Sequence, residues 1–155
     1  MKIGVIMGST SDLEVMSAAF AVLDQFGIPY EKKVISAHRA PALLAQWAGS
    51  ARERGIDVII AGAGGAAHLP GVTAAYTTLP VIGVPINGKA FGGMDALLSI
   101  VQMPSGIPVA TVSVNGAKNA ALLALSILSV SEPSVKEKLD EFRRKQTEAI
   151  VNTEI

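Results

Sequence analysis

The only two histidines of this 155-residue chain lie in loops of small residues. His38 stands in Ser-Ala-His-Arg, residues 36–39, and His68 ends the run Ala-Gly-Ala-Gly-Gly-Ala-Ala-His, residues 61–68. A histidine at a ligand site can act as a general acid or base near neutral pH, and the guanidinium of Arg39 suits a phosphate. The alternatives are a structural histidine and a solvated arginine. We treat His38 as the candidate acid/base and Arg39 as a candidate phosphate ligand.

A third candidate segment, Gly-Ser-Thr-Ser-Asp at residues 8–12, leads into a predicted helix. Hydroxyls and free backbone N–H groups at a helix N-terminus can hold a phosphate. The carboxylate of Asp12 would repel a phosphate and is better suited to accept hydrogen bonds from sugar hydroxyls. Ser9, Asp12 and Arg39 together therefore indicate a ribose phosphate. Ser11 has a structural alternative, because Ser11 and Glu14 have the spacing of a capping box.

The segments that must position these loops are predicted from their apolar patterns to be alternating strands and helices. We predict strands at 2–7, 30–36, 57–61, 80–85 and 108–114, and helices near 12–26, 41–54, 67–77, 95–103, 118–130 and 133–151. This alternation predicts an α/β fold, a three-layer α/β/α sandwich. Its parallel five-stranded flavodoxin-like sheet has the order 2-1-3-4-5, with an extra C-terminal helix. Ligands bind such sheets beyond the carboxyl ends of the strands, where the strand order reverses. The loops after the first three strands should therefore converge on one site.

Several kinds of site are excluded or disfavoured by the residue types. The chain has no cysteine, which excludes disulfides and thiolate catalysis, and two histidines make a zinc site unexpected. No P-loop occurs. The run Gly62-x-Gly64-x-x-Ala67 resembles a dinucleotide fingerprint, but it follows the third predicted strand and lacks the acidic residue about 20 positions later. We therefore expect no metal and no cofactor.

The overall composition limits the kinds of partner that we expect for the protein. The net charge is +0 and there is no basic patch, so we expect no nucleic-acid partner, and no apolar run is long enough for a membrane span. We expect one domain over residues 1–155 and a cytoplasmic location. Residues 58–131 carry only Lys89, Asp95 and Lys118. A buried parallel sheet explains part of this, but we also expect burial between subunits, and hence a homo-oligomer.

Six segments in order resemble the bacterial N5-carboxyaminoimidazole ribonucleotide mutase family of purine biosynthesis. Each segment is weakly specific alone, but their order makes the resemblance strong from residue 3 to about residue 130. The segments are GSTSD, SAHRAP, AGAGGAAHLPG, LPVIGVP, LLSIVQMPSGIPVAT and NAALLA.

The resemblance implies a rearrangement without a cofactor, in which CO2 moves from the exocyclic nitrogen of an aminoimidazole ribonucleotide to ring carbon C4. It implies that His38 carries the proton. It also implies an octamer whose C-terminal helix, residues 133–151, packs on a neighbouring subunit. The substrate-binding positions that it implies are Ser9, Asp12, Arg39, Ser36, Ala37, Ala63, Gly64, Gly65, His68 and Leu69.

Some residues depart from the pattern of that family. Ala40 replaces a usual Thr, which should weaken the helix cap before Pro41, Ala96 replaces a usual Ser, and the chain is short around 112–121. Two rival functions stay open. A sister branch, the aminoimidazole ribonucleotide carboxylases, uses free CO2 but has Tyr-Lys where this chain has His38-Arg39. A non-enzymatic nucleotide-binding module would keep the phosphate ligands without needing His38.

Overall fold

A parallel sheet of five strands forms the centre of the molecule in the computed structural model, which describes residues 1–154. The strands follow the order β2-β1-β3-β4-β5, and every neighbouring pair is parallel. The predicted order is therefore confirmed. The bounds are Ile3–Met7 for β1, Tyr30–Val34 for β2, Val58–Gly64 for β3, Val81–Ile86 for β4 and Ala110–Thr111 for β5.

Six α-helices lie where the sequence predicts them. Their bounds are Leu13–Phe26 for α1, Pro41–Gly49 for α2, Leu69–Ala75 for α3, Met94–Val101 for α4, Ala117–Leu128 for α5 and Pro133–Val151 for α6. Helix α2 is shorter than predicted. It ends at Gly49, a poor residue for a helix interior, and Gly55 then takes a φ of +76° in the turn before β3. As expected from Ala40, no side chain caps the start of α2.

The alternation of side chains along the strands divides the core between the two faces of the sheet. Val58 and Ile60 of β3 pack with α1 and α5, together with the buried residues of α6. Ile59 and Ala61 pack on the opposite face with α2, α3 and α4. Both faces of β3 are covered, which is why this strand is apolar throughout. Each fully buried isoleucine or valine stabilises this arrangement by about 1.5–3 kcal/mol.

Two strands differ most from their predicted bounds, and β2 also ends two residues earlier than predicted, at Val34. β5 spans two residues, because Pro108 has no N–H to donate and the chain then leaves the regular ladder. Isolated bonds from the Val112 N–H to the Gly83 oxygen, 3.1 Å, and from the Asn115 N–H to the Pro85 oxygen, 2.8 Å, continue its contact with β4. β3 is longer than predicted and ends at Gly64, so half of the glycine-rich segment is strand.

One glycine allows a close approach between sheet and helix. A Cβ atom on Gly83 of β4 would lie 2.4 Å from Cγ2 of Ile100 on α4. Since Ile100 is fully buried, any larger residue at position 83 would push α4 away from the sheet.

Helix α6 is only partly packed on the rest of the chain. Val135 and Leu139 are buried, Lys138 Nζ donates to the Phe26 oxygen at 2.7 Å, and the Phe142 ring lies 5.6 Å from that of Phe26. Beyond Phe142 the described residues of the helix are exposed. Within residues 1–154, neither this helix nor any other is long and apolar enough to cross a membrane.

Candidate active site

All eleven site residues that the sequence predicts line one cavity of about 680 Å³. The cavity lies beyond the carboxyl ends of β1, β3 and β4, at the predicted reversal of strand order, and its size suits a small ligand such as a nucleotide. The residues brought together there are Ser9, Asp12, Ser36, Ala37, His38, Arg39, Ala63, Gly64, Gly65, His68 and Leu69.

The loop after β1 is closed by Ser9 and Asp12. The Ser9 N–H donates to Asp12 Oδ2 at 3.0 Å, and the Ser11 N–H donates to Ser9 Oγ at 3.3 Å. The predicted capping box of Ser11 with Glu14 is therefore wrong. A 3-10 turn over Thr10–Asp12 precedes α1, so the cap lies two residues earlier, at Ser9. Ser11 instead donates its hydroxyl proton to Ser9 Oγ at 3.0 Å.

Asp12 is a buried carboxyl at the cavity wall, with 8% of its surface exposed. Burial raises the pKa of Asp12 above its usual value, and hydrogen bonds from Ser9, Ser11 and Gly8 only partly oppose this. A desolvated carboxylate whose hydrogen bonds only partly offset its burial is stabilised by a ligand that brings further hydroxyl groups. The geometry thus fits the predicted interaction of Asp12 with a sugar.

Arg39 is held in place by its own loop and by the loop after β1. Ser36 Oγ accepts both the backbone N–H and the Nε–H of Arg39, each at 3.2 Å, and the Gly8 oxygen accepts from Nη2 at 3.4 Å. Among the described residues no carboxylate forms an ion pair with this guanidinium. A cation that is oriented but not neutralised can receive a phosphate.

The two histidines meet at the cavity. His38 Nε2 lies 2.7 Å from His68 Nδ1, and the rings are almost perpendicular, with centroids 4.9 Å apart. Both residues are exposed to the cavity and solvent. The sequence predicts both residues at one site but does not predict this direct hydrogen bond, because His38 and His68 come from different loops.

The glycine-rich segment forms a tight turn between β3 and α3. Gly65 has a φ of +62°, a conformation that favours glycine. The N–H groups of Ala67 and His68 donate to the Gly65 and Ala66 oxygens, both at 2.8 Å. This turn carries His68 to the first position before α3. The small residues of this turn leave the cavity wall open to a flat ligand.

Sequence reasoning missed the loop after β4. Asn87, Gly88 and Lys89 also line the cavity, and the Asn87 N–H is fixed by Asn115 Oδ1 at 2.9 Å. Lys89 has no hydrogen bond or ion pair with any residue in the described range. A signal in the sequence could have found Lys89, since it lies four residues after the predicted strand 80–85 and is one of three charges in residues 58–131. Across residues 1–154, no group of three potential metal ligands occurs.

Known proteins are similar to this chain over most of its length. A mutase of Pyrococcus abyssi, named N5-carboxyaminoimidazole ribonucleotide mutase, is 67% identical over 142 residues, or 92% of this chain and 82% of that protein. A protein of the same name from Bacillus subtilis is 62% identical over 151 residues, or 96% and 93% of the two chains. The crystal structure of Treponema denticola PurE superposes with a TM-score of 0.87 at 27% identity, covering 97% of this chain and 94% of that one.

The family itself is indicated by a separate comparison. The family model described as AIR carboxylase matches residues 2–149, which is nearly the whole chain. Relatives that are more than 60% identical over most of the chain support the same family assignment. The chain belongs to the AIR carboxylase family.

Proposed function

We propose that this protein is an N5-carboxyaminoimidazole ribonucleotide mutase, an isomerase of purine biosynthesis that needs no cofactor. The observation that carries the proposal is the single cavity in which Arg39, Asp12 and His38 stand together. These residues supply a phosphate ligand, a sugar ligand and an acid/base. Relatives that carry this name are 67% and 62% identical to the chain.

The proposed roles follow from the contacts of each residue. Arg39, which Ser36 orients, binds the phosphate together with Ser9. Asp12 accepts hydrogen bonds from the ribose hydroxyls. Ala37, Ala63, Gly64 and Gly65 surround the ring without filling its space, and Leu69 closes the wall on the α3 side. These small residues leave room for the released CO2 beside the ring.

The reaction can be written with one acid/base group. With His38 starting as the imidazolium, the bond between the exocyclic nitrogen and the carboxyl carbon breaks, its electron pair stays on the nitrogen, and the nitrogen takes a proton from His38, which becomes neutral. The C4 carbon then forms a bond to the released CO2, and the C4 proton returns to His38. Protons and charge balance over the cycle, so no metal or redox group is needed for the step.

Two other functions remain possible outcomes of the test. The family is described as AIR carboxylase, which favours a direct carboxylation by free CO2 as the second candidate. The pair His38-Arg39 distinguishes the two, because the carboxylase branch is expected to carry Tyr-Lys there. A non-enzymatic nucleotide-binding module is the third candidate.

The experiment is turnover of purified protein on N5-carboxyaminoimidazole ribonucleotide without ATP, metal or bicarbonate, followed by absorbance of the C4-carboxylated product. We expect conversion by the wild type and none by His38→Asn, which should bind the ribonucleotide within about tenfold of the wild type. Activity only on the uncarboxylated ribonucleotide with bicarbonate would identify a carboxylase. Binding without either activity would leave the non-enzymatic module, and a fully active His38→Asn would contradict the role of His38.

We further propose that the chain forms a homo-oligomer, and that the octamer expected from the resemblance is its form. An apolar strip on α4 and the turn before it supports this proposal. The exposed fractions are 79% for Phe91, 53% for Met94, 49% for Leu98 and 50% for Val101. Met94, Leu98 and Val101 recur at helical spacing along one side of α4, Phe91 lies in the turn before it, and a second copy would cover all four. The exposed end of α6 beyond Phe142 supports the proposed contact of that helix with a neighbouring subunit.

A cytoplasmic location stays a prediction.

A further inference from the structure

The hydrogen bond between His38 and His68 joins two elements that are fixed independently. Both backbone polar groups of His68 form hydrogen bonds. Its N–H donates to the Ala66 oxygen at 2.8 Å, and its oxygen accepts from the Val72 N–H at 2.9 Å. The loop of His38 is closed by the Ala40 N–H, which donates to the Ser36 oxygen at 2.9 Å. The backbones that carry the two rings are therefore both fixed at the place where the rings meet.

A separation of 2.7 Å between His38 Nε2 and His68 Nδ1 requires one hydrogen between the two nitrogens. A neutral imidazole has one N–H, so the ring that donates has its lone pair on its other nitrogen. If His38 donates, its Nδ1 has the lone pair. Neither His38 Nδ1 nor His68 Nε2 has a hydrogen-bond partner among residues 1–154, so each is available to a ligand.

We propose that His68 is a positioning residue whose Nδ1 accepts the Nε2–H of His38 and thereby makes His38 Nδ1 the atom that exchanges the proton with the substrate. The inference rests on the proposed function. The cycle starts with His38 as the imidazolium, which has a proton on each nitrogen. The Nδ1 proton goes to the exocyclic nitrogen, and the Nδ1 lone pair of the neutral Nε2–H form then takes the proton from C4. His68 stays neutral and keeps the Nε2–H in place through both steps, in the way that second partners orient catalytic histidines.

A purely structural role for this pair is a weak alternative. Both histidines are exposed, and a hydrogen bond between exposed groups contributes at most about 1 kcal/mol to folding. Substitution at position 68 should therefore leave the protein folded. His68→Asn and His68→Gln form a matched pair, because the Asn amide reaches the place of Nδ1 whereas the longer Gln amide reaches the place of Nε2.

The first measurement separates kcat from KM for the two variants on N5-carboxyaminoimidazole ribonucleotide. We expect His68→Asn to keep kcat within about tenfold of the wild type. His68→Gln and His68→Ala should lose about 100-fold or more, with KM changed less than about threefold, which is the scale of one acid/base contribution. Equal kcat values in all three variants, or an effect on KM alone, would overturn the proposal. An inactive wild type would instead overturn the proposed function.

The second measurement reads the tautomer directly. The chain has only two histidines, so the imidazole 15N NMR spectrum of labelled protein contains two rings, and His38→Asn assigns them. We expect His38 as the Nε2–H tautomer in the wild type and in His68→Asn, and a mixture of tautomers in His68→Ala. A wild-type His38 in the Nδ1–H form, or a tautomer that does not respond to His68→Ala, would contradict the assignment.

Discussion

At the scale of single residues, the site contains groups whose burial costs stability in the absence of ligand. Asp12 is the clearest case, because the pKa of this carboxyl is raised by burial from its usual value near 3.8. The folded chain therefore holds this proton more tightly than the unfolded chain. The stability that this group contributes is complete below its usual pKa and is lost as the pH rises through the raised value. Such a cost is typical of binding sites, where function and stability oppose each other.

Asp12→Asn should remove this cost while keeping an oxygen for the Ser9 N–H. We expect its free energy of unfolding at neutral pH to equal or exceed that of the wild type, with the difference growing as the pH rises from about 4. Turnover should fall, because the carboxylate that accepts the sugar hydroxyls is gone. Urea denaturation across pH, at one protein concentration, measures the first effect.

The control for this prediction is Asp12→Ala, which has no acceptor for the Ser9 N–H. It should be less stable than Asp12→Asn by about 1 kcal/mol, the usual contribution of a helix cap. If Asp12→Asn were less stable than the wild type at neutral pH, the gain in hydrogen-bond strength that the negative charge gives to the bonds from Ser9, Ser11 and Gly8 would outweigh the cost of burying that charge.

At the scale of the elements, the loop that carries His38 and Arg39 depends on how α2 is attached to β2. Glu31 on β2 accepts from Trp47 Nε1 at 2.6 Å and from Arg54 Nε at 3.3 Å, and Lys2 Nζ lies 3.6 Å away. Burial raises the pKa of Glu31, but the hydrogen bonds from Trp47 and Arg54 outweigh it and hold the pKa below its usual value. These contacts join α2 and the turn after it to the edge of the sheet.

Glu31→Gln should therefore destabilise the protein by about 1–2 kcal/mol at neutral pH, the scale of hydrogen bonds to a charged group. A lowered pKa contributes stability above the usual value near 4.5 that is lost as the pH falls through the lowered value. The difference between wild type and variant should thus disappear in acid. Chemical denaturation at several pH values tests this. Glu53→Gln, on an exposed residue of the same turn, is the control and should have no effect.

The sequence predicts the bounds of a strand or helix well where the pattern of apolar residues determines them. It predicts them less well where the local backbone conformation determines where the element begins or ends. The apolar runs predict β1 and β4 within one residue, because both are buried on two faces. The apolar character of 108–114 looked like a strand, but only two residues of it join the ladder. The cap at Ser9 was missed for a similar reason, since a 3-10 turn before α1 has no periodicity of its own.

The site was predictable as a set of residues but not as a geometry. Residue types and the rule for strand ends bring Ser9, His38, Arg39 and His68 to one cavity. The 2.7 Å contact between the histidines depends on the turn at Gly65 and on the closure of the His38 loop, neither of which has a sequence signature. Lys89 was missed because no motif contains it.

At the scale of the whole molecule, the low charge of residues 58–131 has two explanations. The strands β3 and β4 are almost entirely buried within one chain, which accounts for much of the apolar stretch. The remainder includes the apolar strip of Phe91, Met94, Leu98 and Val101, which one chain leaves exposed. Monomers rarely expose a contiguous apolar patch without using it in an interface.

A charge placed in the apolar strip should therefore break the proposed assembly. We expect light scattering to give several times the chain mass of 16.0 kDa for the wild type, and a clearly smaller assembly for Leu98→Asp, in which only contacts outside the strip persist. Val130→Asp is the matched control, because Val130 is 88% exposed but lies after α5, outside the strip. It should assemble like the wild type, since an aspartate there meets only solvent. A wild type that is monomeric in dilute solution would refute the oligomer. A Leu98→Asp variant that assembles normally would place the interface elsewhere, because a carboxylate buried in an apolar contact without a partner costs several kcal/mol.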